Sequence, residues 1–304
     1  MPITSNVLWK SVDYTLDKIY TEDLSPTMVA LGKGKIVNPE PMRKALVRDT
    51  EVAGVSLFPE KTEGAAMAQD EIIMGGIAEY LPRTFAKCVP ITEEALEDED
   101  TDKIVNSAKR LRAAAYKTRD IDAANLLLNC LTVAGGFDKT VLASTSHTLP
   151  TGATASNYLN SGNGMTPSTQ ALQMMRNMAA LMPGPNGIVD GVELRAVVFP
   201  DVQLDLWKII TQTGNSVGNN FNDINTVKSY NLDLVPVKWF DAVSTDFWGC
   251  LTNAEDGLRY LDRRALKGTT WVDNNCMVAY SGYSYRSVAG WSNWRAFLLG
   301  YPPS

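Results

Sequence analysis

Residues Ile91 to Ala134 read ITEEALEDEDTDKIVNSAKRLRAAAYKTRDIDAANLLLNCLTVA. Six carboxylates come first (Glu93, Glu94, Glu97, Asp98, Glu99 and Asp100), and negative charge suits the free N–H groups and positive dipole end of a helix. Thr101 is placed to cap that helix. Ile104, Ala108, Leu111 and Ala115 then recur at helical spacing. Ala124, Leu127, Leu128 and Leu131 carry the stripe on until Gly135 and Gly136 end it. One helix of about 30 residues, roughly 45 Å at 1.5 Å rise per residue, is therefore expected. A rod that long exceeds what an ordinary compact core needs, although an amphipathic helix lying across a sheet accounts for its pattern equally well.

Charge is distributed unevenly around this rod. From residue 46 to 95 four basic side chains stand against nine acidic ones, whereas from Thr101 to Cys130 six basic residues (Lys103, Lys109, Arg110, Arg112, Lys117, Arg119) face three acidic ones. Two solvated surfaces of opposite sign would explain this. So would an acidic excursion of one copy lying over the basic helix of another, with Glu60 and Glu63 opposite Arg110, Arg112 and Arg119. A third reading turns the basic face toward nucleic acid.

Composition limits the remaining choices. The 304 residues suffice for one or two domains, and 45% hydrophobic with 20% charged content is that of a folded globular chain. A net charge of −6 argues against a wholesale nucleic-acid coat but permits a local basic face. No apolar run reaches the ~18 residues of a membrane span, and the start MPITSNVLWK lacks a signal-peptide pattern, so a cytoplasmic chain with no membrane partner is expected.

Cys88, Cys130, Cys250 and Cys276 form no CxxC pair. Their even number permits disulfides, but a cytoplasmic chain of this size keeps them as buried free thiols. The one histidine, His147, sits in ASTSHTLPTG. A hydrolytic arrangement with Ser144 or Ser146 is one reading and a polar loop is the other, which the Thr, Pro and Gly around it favour. The segment GKGKI lacks the spacing of a dinucleotide or phosphate loop. No cofactor, metal or catalytic residue is expected.

Working outward, Leu8, Val12, Leu16 and Ile19 predict a short N-terminal helix, followed by an extended arm. Residues 46–95 read as a two-stranded excursion, with one strand over Asp49–Phe58 and the other carrying Ile77, Leu81 and Phe85 toward Pro90. Thr166 and Pro167 open a helix whose face is Leu172, Met175, Met178, Ala179 and Met182. The methionines there suit adaptable core filling better than a ligand box. A buried strand over Val192–Phe199, a helix on Val202, Leu206, Ile209 and Ile210, and a strand over Leu232–Phe240 follow. The aromatics Trp291, Trp294, Phe297 and Tyr301 require burial in a core or an interface.

In order along the chain, ITEEALEDED (Ile91–Asp100), TRDIDAANLLLN (Thr118–Asn129), LASTSHTLPTGATASN (Leu142–Asn157), VELRAVVFPDVQLDLWKIITQ (Val192–Gln212), VPVKWFDAVSTDFWGCL (Val235–Leu251) and Ser292-Asn293-Trp294-Arg295 resemble the major capsid proteins of tailed bacteriophages. The similarity is to the Mu-like major head subunit group with the Hong Kong 97-type fold. Asn293 stands where the family ending has an acidic residue. The resemblance implies an α+β chain divided into an N-terminal arm (1–45), an extended β-hairpin loop (46–95), a peripheral domain with a long spine helix (96–165), an axial domain (166–269) and a return strand to the peripheral domain (270–304).

It also implies hexamers and pentamers of this chain forming an icosahedral shell around double-stranded DNA, contacted without sequence specificity. A separate scaffolding protein, a portal and a decoration protein would be partners, and assembly would take place in the host bacterial cytoplasm. An encapsulin-like nanocompartment of the same fold is the alternative. One branch of the fold cross-links Lys to Asn between subunits. No motif here maps onto that chemistry, and Lys61 is a candidate by location alone.

Overall fold

The computed structural model describes residues 28–54, 56–64, 66–92, 101–159, 164–215, 224–273, 275–276 and 278–302. The expected N-terminal helix around Leu8–Ile19 and the acidic run Glu93–Asp100 lie outside these residues.

The long helix is present as α1, Thr101–Leu128, 28 residues and so roughly 42 Å. Ala108, Leu111, Ala124 and Leu127 of the expected stripe are buried. The helix stops six residues before Ala134, however. The Cys130 N–H reaches back only three residues to the Leu127 carbonyl (3.1 Å), and the Cys130 carbonyl accepts from Ala143 N (2.9 Å). This tightened last turn takes the chain off the helix axis and buries Cys130. Gly135 and Gly136 serve a different purpose: the Trp291 indole lies against both, and Gly136 has φ +66°.

Two four-stranded sheets organise the rest. The long sheet has the order β1 (Pro39–Pro41), β10 (Leu258–Asp273), β11 (Val278–Trp291), β4 (Arg83–Thr92). β1 runs parallel to β10, and the other neighbours are antiparallel. Helix α1 crosses the β11 and β4 face, where Leu111, Ala114, Ala115 and Thr118 line a groove with Phe85, Tyr283 and Tyr285. Phe85 and Tyr285 stack there at 4.9 Å.

The second sheet has the order β12 (Phe297–Tyr301), β9 (Trp248–Thr252), β7 (Leu194–Phe199), β8 (Asp233–Pro236). Its two faces pack into different cores, which is why its strands read as nearly continuous apolar runs. Val197, Phe199, Trp248 and Cys250 point toward α2 (Thr169–Ala180) and α3 (Leu204–Gln212), with Leu172, Met175 and Trp207. Ala196, Val198, Leu251 and Phe297 point the other way, onto Ala123, Ala124 and Leu127 of α1, onto Ala30, Leu31, Ile36 and Val37 of the arm, and onto Tyr260 and Trp291 of the long sheet.

Several sequence expectations need correction. Ser168, and not Thr166, caps α2: its hydroxyl accepts from Ala171 N at 3.0 Å. In α3 the buried face is Trp207, Ile210 and Thr211, so of the expected face Ile210 is buried, Leu206 and Ile209 are exposed, and Val202, also exposed, lies in the turn before the helix. The helix is rotated from the expected face because Trp207 fills the core position beside Ile210. Strand β8 ends at Pro236, which has no N–H to continue a ladder, and Val237 and Phe240 turn inward to meet Phe247. Strand β10 begins at Leu258, inside the range expected for the axial domain, and β12 joins the second sheet and not the long one.

The excursion is a hairpin of β2 (Val47–Val52) with β3 (Met74–Tyr80). The first strand stops at Val52, short of Phe58, and the apolar Leu57 and Phe58 beyond it are exposed. The described residues between 53 and 73 have no helix or strand. β4, expected as part of the same excursion, pairs with β11. A close approach fixes the hairpin to the body: a Cβ on Gly76 would fall 1.7 Å from the Phe137 carbonyl oxygen.

Candidate assembly surfaces and the buried hub behind them

The six basic residues of α1 do not form one face. Lys109, Arg110 and Lys117 are exposed. Arg112 is buried, with its guanidinium 5.9 Å from the Tyr116 ring. Arg119 is also buried. It pairs with Asp262 of β10 and lies 5.7 Å from the rings of Tyr260 and Tyr285. Burial raises the Asp262 carboxyl above the ordinary range and Arg119 only partly offsets it, whereas burial of the Arg119 guanidinium is outweighed by Asp262 and Tyr260, which raise it; the pair ties α1 to the sheet. Of the residues expected to meet a neighbour or nucleic acid, Arg110 remains available and Arg119 is committed within the subunit. The Lys103 side chain lies outside the described residues.

The loop is the reverse case. Glu60 and Glu63 are exposed, as is Lys61. Large apolar side chains stand out with them: Phe58 at 95%, Met67 at 81%, Leu57 and Met74 at 74% and Ile72 at 67% of full exposure. This much exposed apolar surface on one segment marks a contact surface. The charge count over residues 46–95 does not register this apolar set.

The loop's root is held firmly. Arg259 donates from Nη1 to Asp49 (2.5 Å) and from Nη2 to Glu40 (2.8 Å). Ser292 Oγ donates to Asp49 (2.9 Å) and lies 2.5 Å from the Tyr80 hydroxyl. Arg295 Nη1 meets Glu51 at 3.4 Å and its Nε donates to the Pro183 carbonyl (2.8 Å). Burial raises the Glu51 carboxyl against the pull of Arg295. It lowers the Arg295 guanidinium despite Glu51.

A single carboxylate clasps the arm. Asp120 of α1, 2% exposed, accepts from Val29 N (3.0 Å), Ala30 N (2.8 Å), Leu31 N (3.0 Å) and Trp239 Nε1 (2.7 Å). A helix residue thereby replaces a strand partner for three backbone amides of the arm.

His147 opens a two-residue strand, His147–Thr148, within the polar loop expected there, but the loop is folded inward and not solvated. His147 is completely buried, its ring parallel to that of Trp294 at 4.1 Å. Nδ1 lies 2.5 Å from Asp138 Oδ2 and Nε2 lies 3.0 Å from Asn157 Oδ1. Asn157 in turn donates from Nδ2 to the carbonyls of Leu142 (2.7 Å), Phe297 (2.9 Å) and Trp294 (3.2 Å). Burial acts to raise the Asp138 carboxyl, but the bonds from His147 and Thr140 hold it below its ordinary value. Ser144 and Ser146 bond one another, the Ser146 amide donating to Ser144 Oγ. Neither serine is positioned by the imidazole as a nucleophile.

Among the described residues no three His, Cys, Asp or Glu side chains are grouped to hold a metal, and no helix is long and apolar enough to cross a membrane. All four cysteines are free. Cys130 and Cys250 are buried, but Cys88 and Cys276 are exposed, contrary to the expectation that all four would be buried.

A family model described as phage capsid protein matches residues 77–299, well over half of the chain. No curated protein matches the sequence significantly. Among solved structures the chain is similar to one from Mycobacterium phage Patience (12% identity, 97% of this chain and 86% of that one, TM-score 0.57). It is similar also to the capsid of a native GTA particle computed with C5 symmetry (11%, 88% and 88%, 0.55), and to the capsid of Myoviridae phage XM1 (13%, 92% and 95%, 0.54). At such identities the likeness is one of fold, and the fold is the Hong Kong 97-type expected from the sequence.

Proposed function

The chain belongs to the phage capsid protein family, and from that premise we propose that it is the major head subunit of a tailed bacteriophage. Copies assemble as hexamers and pentamers into an icosahedral shell that encloses packaged double-stranded DNA. It is a structural protein and not an enzyme, and its site of action is the virion. Assembly takes place in the host cytoplasm with a separate scaffolding protein, a portal and a decoration protein as further partners. The Ser-Thr-Ser-His run at Ser144–His147 and the Trp294-Arg295 ending support placing it with the Mu-like head subunits.

The observation that carries this reading is the loop between β2 and β3. Its root is fixed by Arg259, Ser292 and Arg295, yet Phe58, Met67 and Ile72 stand exposed among the described residues. At roughly 25 cal/mol per Å² of apolar surface, covering such residues on a neighbour supplies the repeated moderate contacts from which a shell is stable. The division that supports this reading is the arm, the loop hairpin of β2 and β3 in place of the whole of 46–95, a peripheral part with α1 and the long sheet including β4, and an axial part with the second sheet including β12. The exposed Lys109, Arg110 and Lys117 form the basic face that meets either a neighbour's Glu60 and Glu63 or the DNA.

The test is electron microscopy and sedimentation of the purified chain. Capsomers or shells are expected, and Phe58→Asp is expected to abolish them while leaving a folded subunit. A wild-type chain that sediments only as a 33.3 kDa monomer would overturn the reading. Protein cargo inside particles in place of nucleic acid would overturn the DNA assignment.

A further inference from the structure

Side chains alternate across a strand, so the long sheet has two distinct faces. Tyr260 and Asp262 of β10, with Tyr283 and Tyr285 of β11, face α1. Tyr260 joins the cluster that holds Ala123 and Leu127, Asp262 pairs with Arg119, and the two β11 tyrosines line the groove with Leu111 and Ala115. Leu261 of β10 and Val288 of β11 take the alternate positions, and they pack with Val47, Ala78 and Tyr80 of the β2–β3 hairpin. Arg259 and Gly290 agree with this side: Arg259 bonds Asp49, and a Cβ on Gly290 would meet the Tyr80 ring at 2.7 Å. Helix α1 and the hairpin therefore stand on opposite sides of one sheet.

The two sides differ in charge. Lys109, Arg110 and Lys117 are exposed on α1, and none of its described side chains is an exposed carboxylate, since Asp120 is buried in the arm clasp and Asp122 pairs with Arg83. Lys87 of β4, opposite Tyr283 in the ladder, is exposed and extends this basic surface. On the hairpin the exposed carboxylates Glu60, Glu63, Asp70, Glu71 and Glu79 outnumber the exposed cations Arg48 and Lys61, and Arg48 is itself paired with Glu79.

We propose that the α1 side of the long sheet lines the lumen, where Lys87, Lys109, Arg110 and Lys117 hold the phosphates of the packaged DNA, and that the hairpin side faces outward. This rests on the shell reading given above. Every rotation axis of an icosahedral shell runs radially, so each copy turns the same side inward and only one side of the sheet can line the lumen. A duplex carries one negative charge per about 1.7 Å of its axis. The acidic hairpin side repels such a surface and the α1 side neutralises it. The same geometry separates a neighbour's Glu60 and Glu63 from the basic residues of α1, because the neighbour's hairpin rises from the other side of its own sheet. Contacts to phosphate alone carry no sequence information, which suits a container for any genome segment.

Formaldehyde joins lysine amines to DNA bases that lie against them. On purified, DNA-filled wild-type particles, mass spectrometry is expected to find nucleotide adducts at Lys109 and Lys117. None is expected at Lys61 of the loop or at Lys44, which lines a pocket with Arg259 and Leu261 on the hairpin side. Adducts at Lys44 or Lys61 with none at Lys109 and Lys117 would overturn the assignment. A second measurement follows binding of the full-length chain to a duplex of arbitrary sequence. Changing the exposed Lys109, Arg110 and Lys117 to Gln is expected to lower the slope of log affinity against log salt by ~2.7, at about 0.9 per phosphate contact; an unchanged slope would overturn it. Wild-type particles empty of nucleic acid would overturn the DNA reading itself, a failure read from their nucleic-acid content before any adduct is sought.

Discussion

Replacing Asp120 by Asn tests whether the arm is held by one carboxylate. The side chain keeps its shape and loses half of its acceptors. Oδ1 serves Ala30 N and Leu31 N, while Oδ2 serves Val29 N and Trp239 Nε1. With an amide, the NH2 group must face one of these pairs of donors. Two buried donors then lack acceptors, and the remaining two bond a neutral oxygen. An unmet buried donor costs about 1–3 kcal/mol and a bond to a charged group contributes about 1.5–3. Because the two losses overlap, about 3 kcal/mol in local stability is expected. At 1.4 kcal/mol per tenfold, hydrogen exchange at the amides of Val29–Leu31 should quicken roughly 100-fold. Mass spectrometry of peptides covering residues 28–38, on assembled material, reads this directly. Adding Trp239→Phe removes one stranded donor and should recover part of the protection. Exchange in D120N within threefold of wild type would refute the clasp.

Other consequences are equally open to measurement. The Asp138 carboxyl is held below its ordinary value in the folded chain, so its contribution is complete above about pH 4 and is lost as the pH falls through the lowered value. Acid unfolding of Asp138→Asn should lack that part of the slope, and an unchanged acid limb would contradict it. Gly76→Ala places a methyl 1.7 Å from the Phe137 carbonyl and should cost ~3 kcal/mol or more, seen as early proteolysis in residues 53–73. Reversing Lys109 and Arg110 to Glu should reduce particle yield and weaken its salt dependence if a neighbour's acidic loop docks there. If that face meets DNA, empty particles should form normally and genome retention alone should fall.

What the sequence disclosed depended on periodicity. Helix α1, the α2 face and β7 follow from apolar spacing, since each buries a regular stripe against one neighbour. Failures occurred where a long-range partner decided. The last turn of α1 yields to the Cys130–Ala143 contact, and α3 is rotated by Trp207. The charge count along α1 could not reveal that Arg119 faces Asp262, 143 residues away. The residues of LASTSHTLPTGATASN and SNWR that carried the family resemblance proved to be the hub itself: His147, Asn157 and Trp294 lie together in the fold. Their types were visible, but the physical reason for them was not, because burial of a polar loop leaves no periodic trace.

Ser292 and Arg295 each anchor the loop root, through Tyr80 with Asp49 and through Glu51, while Trp294 between them covers the His147 ring. In mechanical terms these few residues are a fulcrum. The hairpin is the lever arm, its seven-residue strand β3 giving roughly 23 Å of reach at 3.3 Å per residue. A load applied at Phe58 by a neighbouring subunit arrives at the turn that joins the two sheets, so strain imposed anywhere in the shell is delivered within each subunit to the same short stretch of backbone.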